Sequence, residues 1–251
     1  MTVFSCEPTW EAMLTCIFEA GRSRLGFKNI RLCLEPIEQM TLFDDYHHVD
    51  VDESKAEKVM DSINQRISSA FYYELFYCSM YYDENILDNI YRVMLLGFKF
   101  GEKALDMVQY ECVMYLKRVH KSLGNEINHF QEFSRFHSIP GEIYVSHIEP
   151  KSRLLINLGP IFSDRMPSEH WIIVDDVHKQ ALIHPKNSQF YIRILNDEEF
   201  AEILKTEDVN DEYTDYWKAF FEAIAIKQRE NPRCQRNLMP LWTRKHSVEF
   251  L

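Results

Sequence analysis

Trp171–Pro185 reads WIIVDDVHKQALIHP, two apolar runs separated by the polar segment Asp176–Lys179. Apolar, β-branched runs of this length, joined by residues that favour turns, predict a hairpin about Asp176–Lys179. Upstream, Glu142–Ile148 (EIYVSHI) alternates as a further strand, and Phe190–Leu195 adds another downstream. Leu154–Phe162 between them is apolar throughout and fits a short helix or strand. The stretch Asp197–Tyr216 is helical in pattern and carries nine acids against Lys205 alone. A helix bearing Trp217, Phe220, Phe221, Ile224 and Ile226 follows and passes into a basic, proline-punctuated tail.

The other end of the chain has a different pattern. Met1–Cys6 (MTVFSC) reads as a strand, and a helix starts after Pro8 with apolar residues at Trp10, Met13, Leu14, Ile17 and Phe18. Ile30–Leu34 and Leu42–Val51 give two more strands, so the opening is a β-α-β-β unit. Helices are expected at Asp52–Arg66, Phe71–Tyr82, Leu87–Phe100 and Ala104–Leu123, their inward faces crowded with Tyr, Phe, Met and Leu. Gly97 and Gly101 mark close packing or a helix end within this section. Strands at both ends and helices between them predict an α+β fold. Its parts are an N-terminal β-α-β element, a helical middle section, and C-terminal antiparallel strands followed by the aromatic helix and basic tail. No Ser/Pro/Gly-rich linker divides the chain. The change of period near Phe136 divides the chain into 1–135 and 136–251, with a single domain as the alternative.

Composition narrows the chemistry. Seventeen Phe, thirteen Tyr and four Trp in 251 residues supply a sizeable core. Seven glycines are fewer than half of what an average usage of about 7% would give, which argues against folds that thread nucleotides through glycine-rich loops. Gly21 to Gly26 has Walker-like spacing, but Phe27 separates Gly26 from Lys28 and no Ser/Thr follows; no G-x-G-x-x-G occurs. The six cysteines are scattered without a C-x-x-C, a reduced, intracellular pattern that offers neither a disulfide framework nor an iron–sulfur or zinc ligand set. No signal peptide or membrane-spanning run is visible, because Arg92 and Lys99 break the longest apolar candidate. The expectation is a cytoplasmic protein with no membrane contact and no cofactor of its own.

Charge supplies the sharpest signal. Lys227–His246 holds six Lys/Arg against Glu230, a net of +5, on a chain whose total is −11; the rest sums to −16. Arginines for phosphates, an aromatic face for stacking and amides between them are the combination a nucleic-acid surface needs. The candidates are Arg229, Arg233, Gln235, Arg236, Trp242, Arg244 and Lys245. The competing reading pairs these arginines with the acids of Asp197–Asp215.

Catalytic arrangements are sparse. Glu126-Ile-Asn-His129 is an E-x-x-H on a helix, half of what a di-iron site needs, and no second copy occurs; no metal is assigned to it. The bland alternative is a polar helix end anchored by Phe130 and Phe133. Asp44, Asp45, His47 and His48 have ligand-like spacing, but on a strand that geometry fails. Cys234 stands between Arg233 and Arg236, whose charge favours the thiolate, but a cysteine in a positive segment is more often structural or incidental than a nucleophile. Asp175 and Asp176 end an apolar strand, a place that carries either function or turn chemistry.

Five stretches carry a family resemblance: Val3–Ala20 (VFSCEPTWEAMLTCIFEA), Arg31–Pro36 (RLCLEP), Phe130–Phe136 (FQEFSRF), Phe162–Asp176 (FSDRMPSEHWIIVDD) and Ala219–Phe250. On these the chain resembles a bacterial DNA-metabolism and DNA-repair protein family. Its members are encoded beside a radical-SAM DNA repair or modification enzyme, or are fused to a uracil-DNA glycosylase-like domain. The resemblance implies an accessory of DNA repair or metabolism that is not catalytic on its own, with the radical-SAM protein as partner and any cluster on that partner. DNA as a second partner is the expectation from the basic tail. Glycosylase activity is not implied, since the resemblance here does not extend to a glycosylase domain. The family pattern commonly has a histidine before the Asp-Arg pair. Here Phe162 takes that aromatic slot ahead of Asp164 and Arg165, which weakens a catalytic histidine there. Two alternatives stand beside the accessory role. One is an enzyme acting on a nucleic-acid base or end through Glu126, His129, Arg135, Arg165 and Asp175; the other is a protein–protein adaptor docking through the acidic stretch.

Overall fold

A computed structural model describes residues 1–37, 40–206 and 212–247; residues 207–211 of the acidic stretch and the last four residues lie outside the described part. The chain divides into two compact units, Met1–Leu123 and Gly124–Leu251. The fold is mixed α+β, with strands and helix first, helices in the middle, and strands followed by helices at the end.

The first unit opens with β1 (Thr2–Cys6), α1 (Trp10–Arg22), β2 (Ile30–Leu34) and β3 (Asp45–His48). The strands run parallel in the order β2-β1-β3. Parallel neighbours need a crossover, and α1 provides it between β1 and β2. Thr9 caps α1 by accepting from the Ala12 amide, and Met13, Leu14 and Ile17 form its buried stripe. Helices α2 (Glu53–Arg66), α3 (Ser69–Ser79) and α4 (Ile86–Phe100) follow, the first two capped by Asp52 and Ser68. A Cβ on Gly97 of α4 would stand 2.4 Å from Cζ of the fully buried Phe71, so only glycine fits there. Gly101, at φ 70, ends the same helix in the left-handed region that glycine favours. The expected pair thus serves both packing and termination.

The expected helix at Ala104–Leu123 differs. A 3-10 turn occupies Gly101–Asp106, and helix α5 runs from Glu111 to Phe133. Its later end follows from the apolar spacing, which continues through the buried Leu116, Val119, Leu123, Ile127 and Phe130 at steps of three and four.

The second unit is built on five strands in chain order: β4 (His137–Ile139), β5 (Ile143–Ile148), β6 (His170–Asp175), β7 (Gln180–His184) and β8 (Tyr191–Ile194). The hairpin predicted about Asp176–Lys179 joins β6 and β7. One pair departs from the antiparallel pattern. β5 and β6 run parallel, because the connection between them is a helix, α6 (Leu155–Arg165), long enough to return the chain to the same edge. The sheet is therefore mixed.

Its two faces bury different cores. Val145, Val174 and Ala181 pack with Leu195, Phe200 and Ile203 on one face. The buried Trp171, Ile173 and Leu182 lie on the other, where the Trp171 ring stacks on His184 at 4.8 Å and meets Phe162. Phe162 is 1% exposed between Trp171 and Phe136, so the slot before Asp164-Arg165 is filled by core packing. Helix α7 (Asp197–Ile203) follows β8 behind an Asn196–Glu199 capping box. Helix α8 (Glu212–Ile224) and the short α9 (Pro232–Leu238) follow, with 3-10 turns at Lys227–Arg229 and Leu241–Thr243.

Candidate functional site

Parallel pairing brings the carboxyl ends of β5 and β6 to the same edge, with His147 opposite Val174 and Ile148 opposite Asp175. Side chains alternate along each strand. His147 and Asp176, the residue after β6, therefore reach one face while Asp175 reaches the other. His147 is buried, with Nδ1 3.0 Å from Asp176 Oδ1 and Nε2 3.1 Å from the Thr206 hydroxyl, which also donates to the Ile203 carbonyl. Both ring nitrogens have partners, so the ring is held in orientation. The His137 ring stacks parallel to it at 6.3 Å, and His246 approaches at 6.1 Å.

His246 comes from the far end of the tail. Its Nε2 stands 3.7 Å from Asp176 Oδ2 and 3.8 Å from Glu149 Oε1, and Lys245 contacts that same Glu149 oxygen. Glu149, Asp176 and His246 each present one donor atom within 4.8 Å of the others. They meet beside a narrow cleft lined by His129, Phe130, Phe133, His147, Glu149, Trp242 and His246, with room for about one water molecule or ion.

The predicted catalytic residues do not assemble as one group. Glu126 accepts from the Lys151 and Ser152 amides, at 2.7 and 3.3 Å, and from the Ser152 hydroxyl, which ties α5 to the loop before α6. Three residues on, His129 lines the cleft instead; burial pushes its pKa below the ordinary 6.5, favouring the neutral ring. Arg135 donates to the carbonyls of Glu132 and Ser134 and lies 5.0 Å over the Trp217 ring. Arg165 donates to the Gln131 carbonyl and covers Phe162. Asp175 is fully buried and closes the β6–β7 turn by accepting from the amides of Val177 and His178 and bonding the His178 ring at 2.7 Å.

The tail splits into two parts. Residues 239–247 fold back on the strand ends: Met239 and Ser247 are buried, and Arg244 Nε donates to the Met239 carbonyl. Trp242 lies 6.3 Å from His129 and carries Lys151 over its ring at 4.9 Å. Arg229, Arg233, Gln235 and Arg236 are exposed; Arg233, Gln235 and Arg236 stand on α9, which Asn231 caps. Among the described residues Arg229, Arg233 and Arg236 form no ion pair, and the Arg236 side chain donates to the Pro232 carbonyl. The acids nearest the start of the acidic stretch pair elsewhere, Asp197 with Lys179 at 2.7 Å and Glu199 with Arg193.

His147, Glu149, Thr206 and His246 escaped sequence reasoning. The available signal was a histidine inside the apolar run YVSHI with an acid directly after it. Among the described residues no helix is long and apolar enough to cross a membrane.

The chain belongs to the family described as Domain of unknown function (DUF4130), which it matches over residues 84–249, about two thirds of its 251 residues. The matched span contains the histidine–carboxylate cluster and the described tail. No curated protein matches the chain.

Proposed function

We propose that this member of the DUF4130 family is a nucleic-acid-binding protein of DNA metabolism that holds phosphates through Arg229, Arg233 and Arg236. The observation that carries the reading is their exposure: three arginine side chains face solvent without a carboxylate partner among the described residues, in a +5 segment of a −11 chain. Unpaired arginine on an acidic protein favours a polyanionic ligand, since nearby acids would otherwise neutralise it. Arg244 and Lys245 are held against the strand ends and contribute field rather than direct contacts. Trp242 offers a partly exposed ring once Lys151 swings away. The resemblance of the five stretches supports placing the protein beside a radical-SAM DNA repair or modification enzyme, as its accessory. Anisotropy of a labelled oligonucleotide tests the reading. Binding should be weak, because the charge elsewhere repels the same polyanion, and it should fall steeply with salt. Salt-independent binding, or none, contradicts it.

A second reading, an enzyme acting directly on a nucleic-acid base or end, is favoured by one observation. Asp176, His147 and Thr206 form a continuous hydrogen-bonded chain beside the cleft. It predicts a shortened or modified product from an end-labelled strand, lost in Asp176→Asn. Unaltered strands after prolonged incubation rule this reading out.

A further inference from the structure

We infer that Glu149, Asp176 and His246 form a site for a single divalent transition cation, Zn2+ foremost, with one coordination place open to the cleft. The inference is independent of the nucleic-acid reading. Separations of 3.7 and 3.8 Å from His246 Nε2 to the two carboxylates are too long for hydrogen bonds. Ligands on a tetrahedral zinc with bonds of about 2.0–2.1 Å stand about 3.4 Å apart, so a few tenths of an ångström closes each histidine–carboxylate gap, and the third separation lies within 4.8 Å. An imidazole among the donors suits zinc, copper, iron or nickel better than calcium, magnesium or manganese.

Three further features point to an ion. Asp176 is oriented from behind by the buried His147, the kind of support that fixes a ligating side chain before metal arrives. The cleft has room for about one water molecule or ion, far less than a nucleobase requires. His129 lines the same cleft, and its buried Nε2 has no hydrogen-bond partner among the described residues. A buried polar atom calls for a partner, and a ligand in the cleft supplies one.

Lys245 is the built-in competitor, because its ammonium contacts the Glu149 oxygen nearest His246. Ion and ammonium cannot both hold that oxygen at full strength, so metal loading releases Lys245 from the strand end.

The test loads the full chain with a small excess of zinc sulfate, desalts it, and measures bound zinc by mass spectrometry beside circular-dichroism melts. A single zinc per chain is expected. His246→Gln should weaken binding at least about tenfold, since losing even an indirect support costs about 10–100-fold. His246 is only 15% exposed but close to the surface, so this variant should remain folded; Asp176→Asn serves as the second ligand variant. Lys245→Met should bind zinc several-fold more tightly. His48→Gln, which removes the exposed histidine between Glu35 and Asp50 in the other unit, should leave loading unchanged. A folded protein that takes up no zinc overturns the inference, as does loading unaffected by His246→Gln or abolished by His48→Gln.

Discussion

His147 Nδ1 lies 3.0 Å from Asp176 Oδ1, across two neighbouring strands that run parallel. Were those strands antiparallel, the end of β5 would face the start of β6 and the pair could not meet. The helix α6 between them is what makes the site, and ligands in parallel sheets favour this carboxyl edge.

Asp176→Asn should cost about 1.5–3 kcal/mol, because a buried histidine loses a charge-assisted hydrogen bond while the shape is kept. His147→Ala should cost more, since it adds a cavity. In urea unfolding the double variant should be less destabilised than the sum of the two, by at least about 0.5 kcal/mol. Strict additivity would mean the two side chains do not interact.

Gly97→Ala sets two effects against each other. Alanine gains about 1 kcal/mol of helix propensity, but overpacking costs about 1–3 kcal/mol. The added Cβ meets a buried Phe71 ring at 2.4 Å, so the clash should win and stability should fall. Gly159→Ala meets Phe190 at 2.6 Å, but that ring is only partly buried and has room to turn. The Gly97 variant should therefore lose more in parallel denaturation curves.

His129 gives a pH dependence of defined sign. Its folded pKa is lowered by burial, so the unfolded chain binds the proton more readily. Stability should be full above the ordinary value of 6.5, decline as pH falls through it, and level off below the depressed folded value. His129→Phe should remove this component, visible as a smaller difference between melting temperatures at neutral and mildly acidic pH. An unchanged difference would assign the dependence to other groups.

Much of the fold was legible in the residues. The period of Trp10 to Phe18 and the turn at Asp176–Lys179 report local structure, and both appear where expected. The site was less legible because its members are 97 residues apart, from Glu149 to His246, and converge only through strand direction. Sequence could place Asp175 and Asp176 at a strand end. It could not say which face each would reach, since that depends on how the neighbouring strand runs. The Glu126–His129 spacing was real, but the Lys151 and Ser152 amides draw the carboxylate away from the histidine's cleft.

The central claim is that exposed arginines of the tail hold phosphate, and Arg233→Ala/Arg236→Ala tests it most directly. Anisotropy titrations at three salt concentrations, beside thermal melts of both proteins, give the measurement. Each phosphate contact contributes a log–log salt slope of about −0.7 to −0.9, so the double variant should bind more weakly with its slope flattened by roughly one to two units. Its melting temperature should not change, because neither side chain pairs with a carboxylate among the described residues. An unchanged slope with a lowered melting temperature would contradict the account and make these arginines part of the fold.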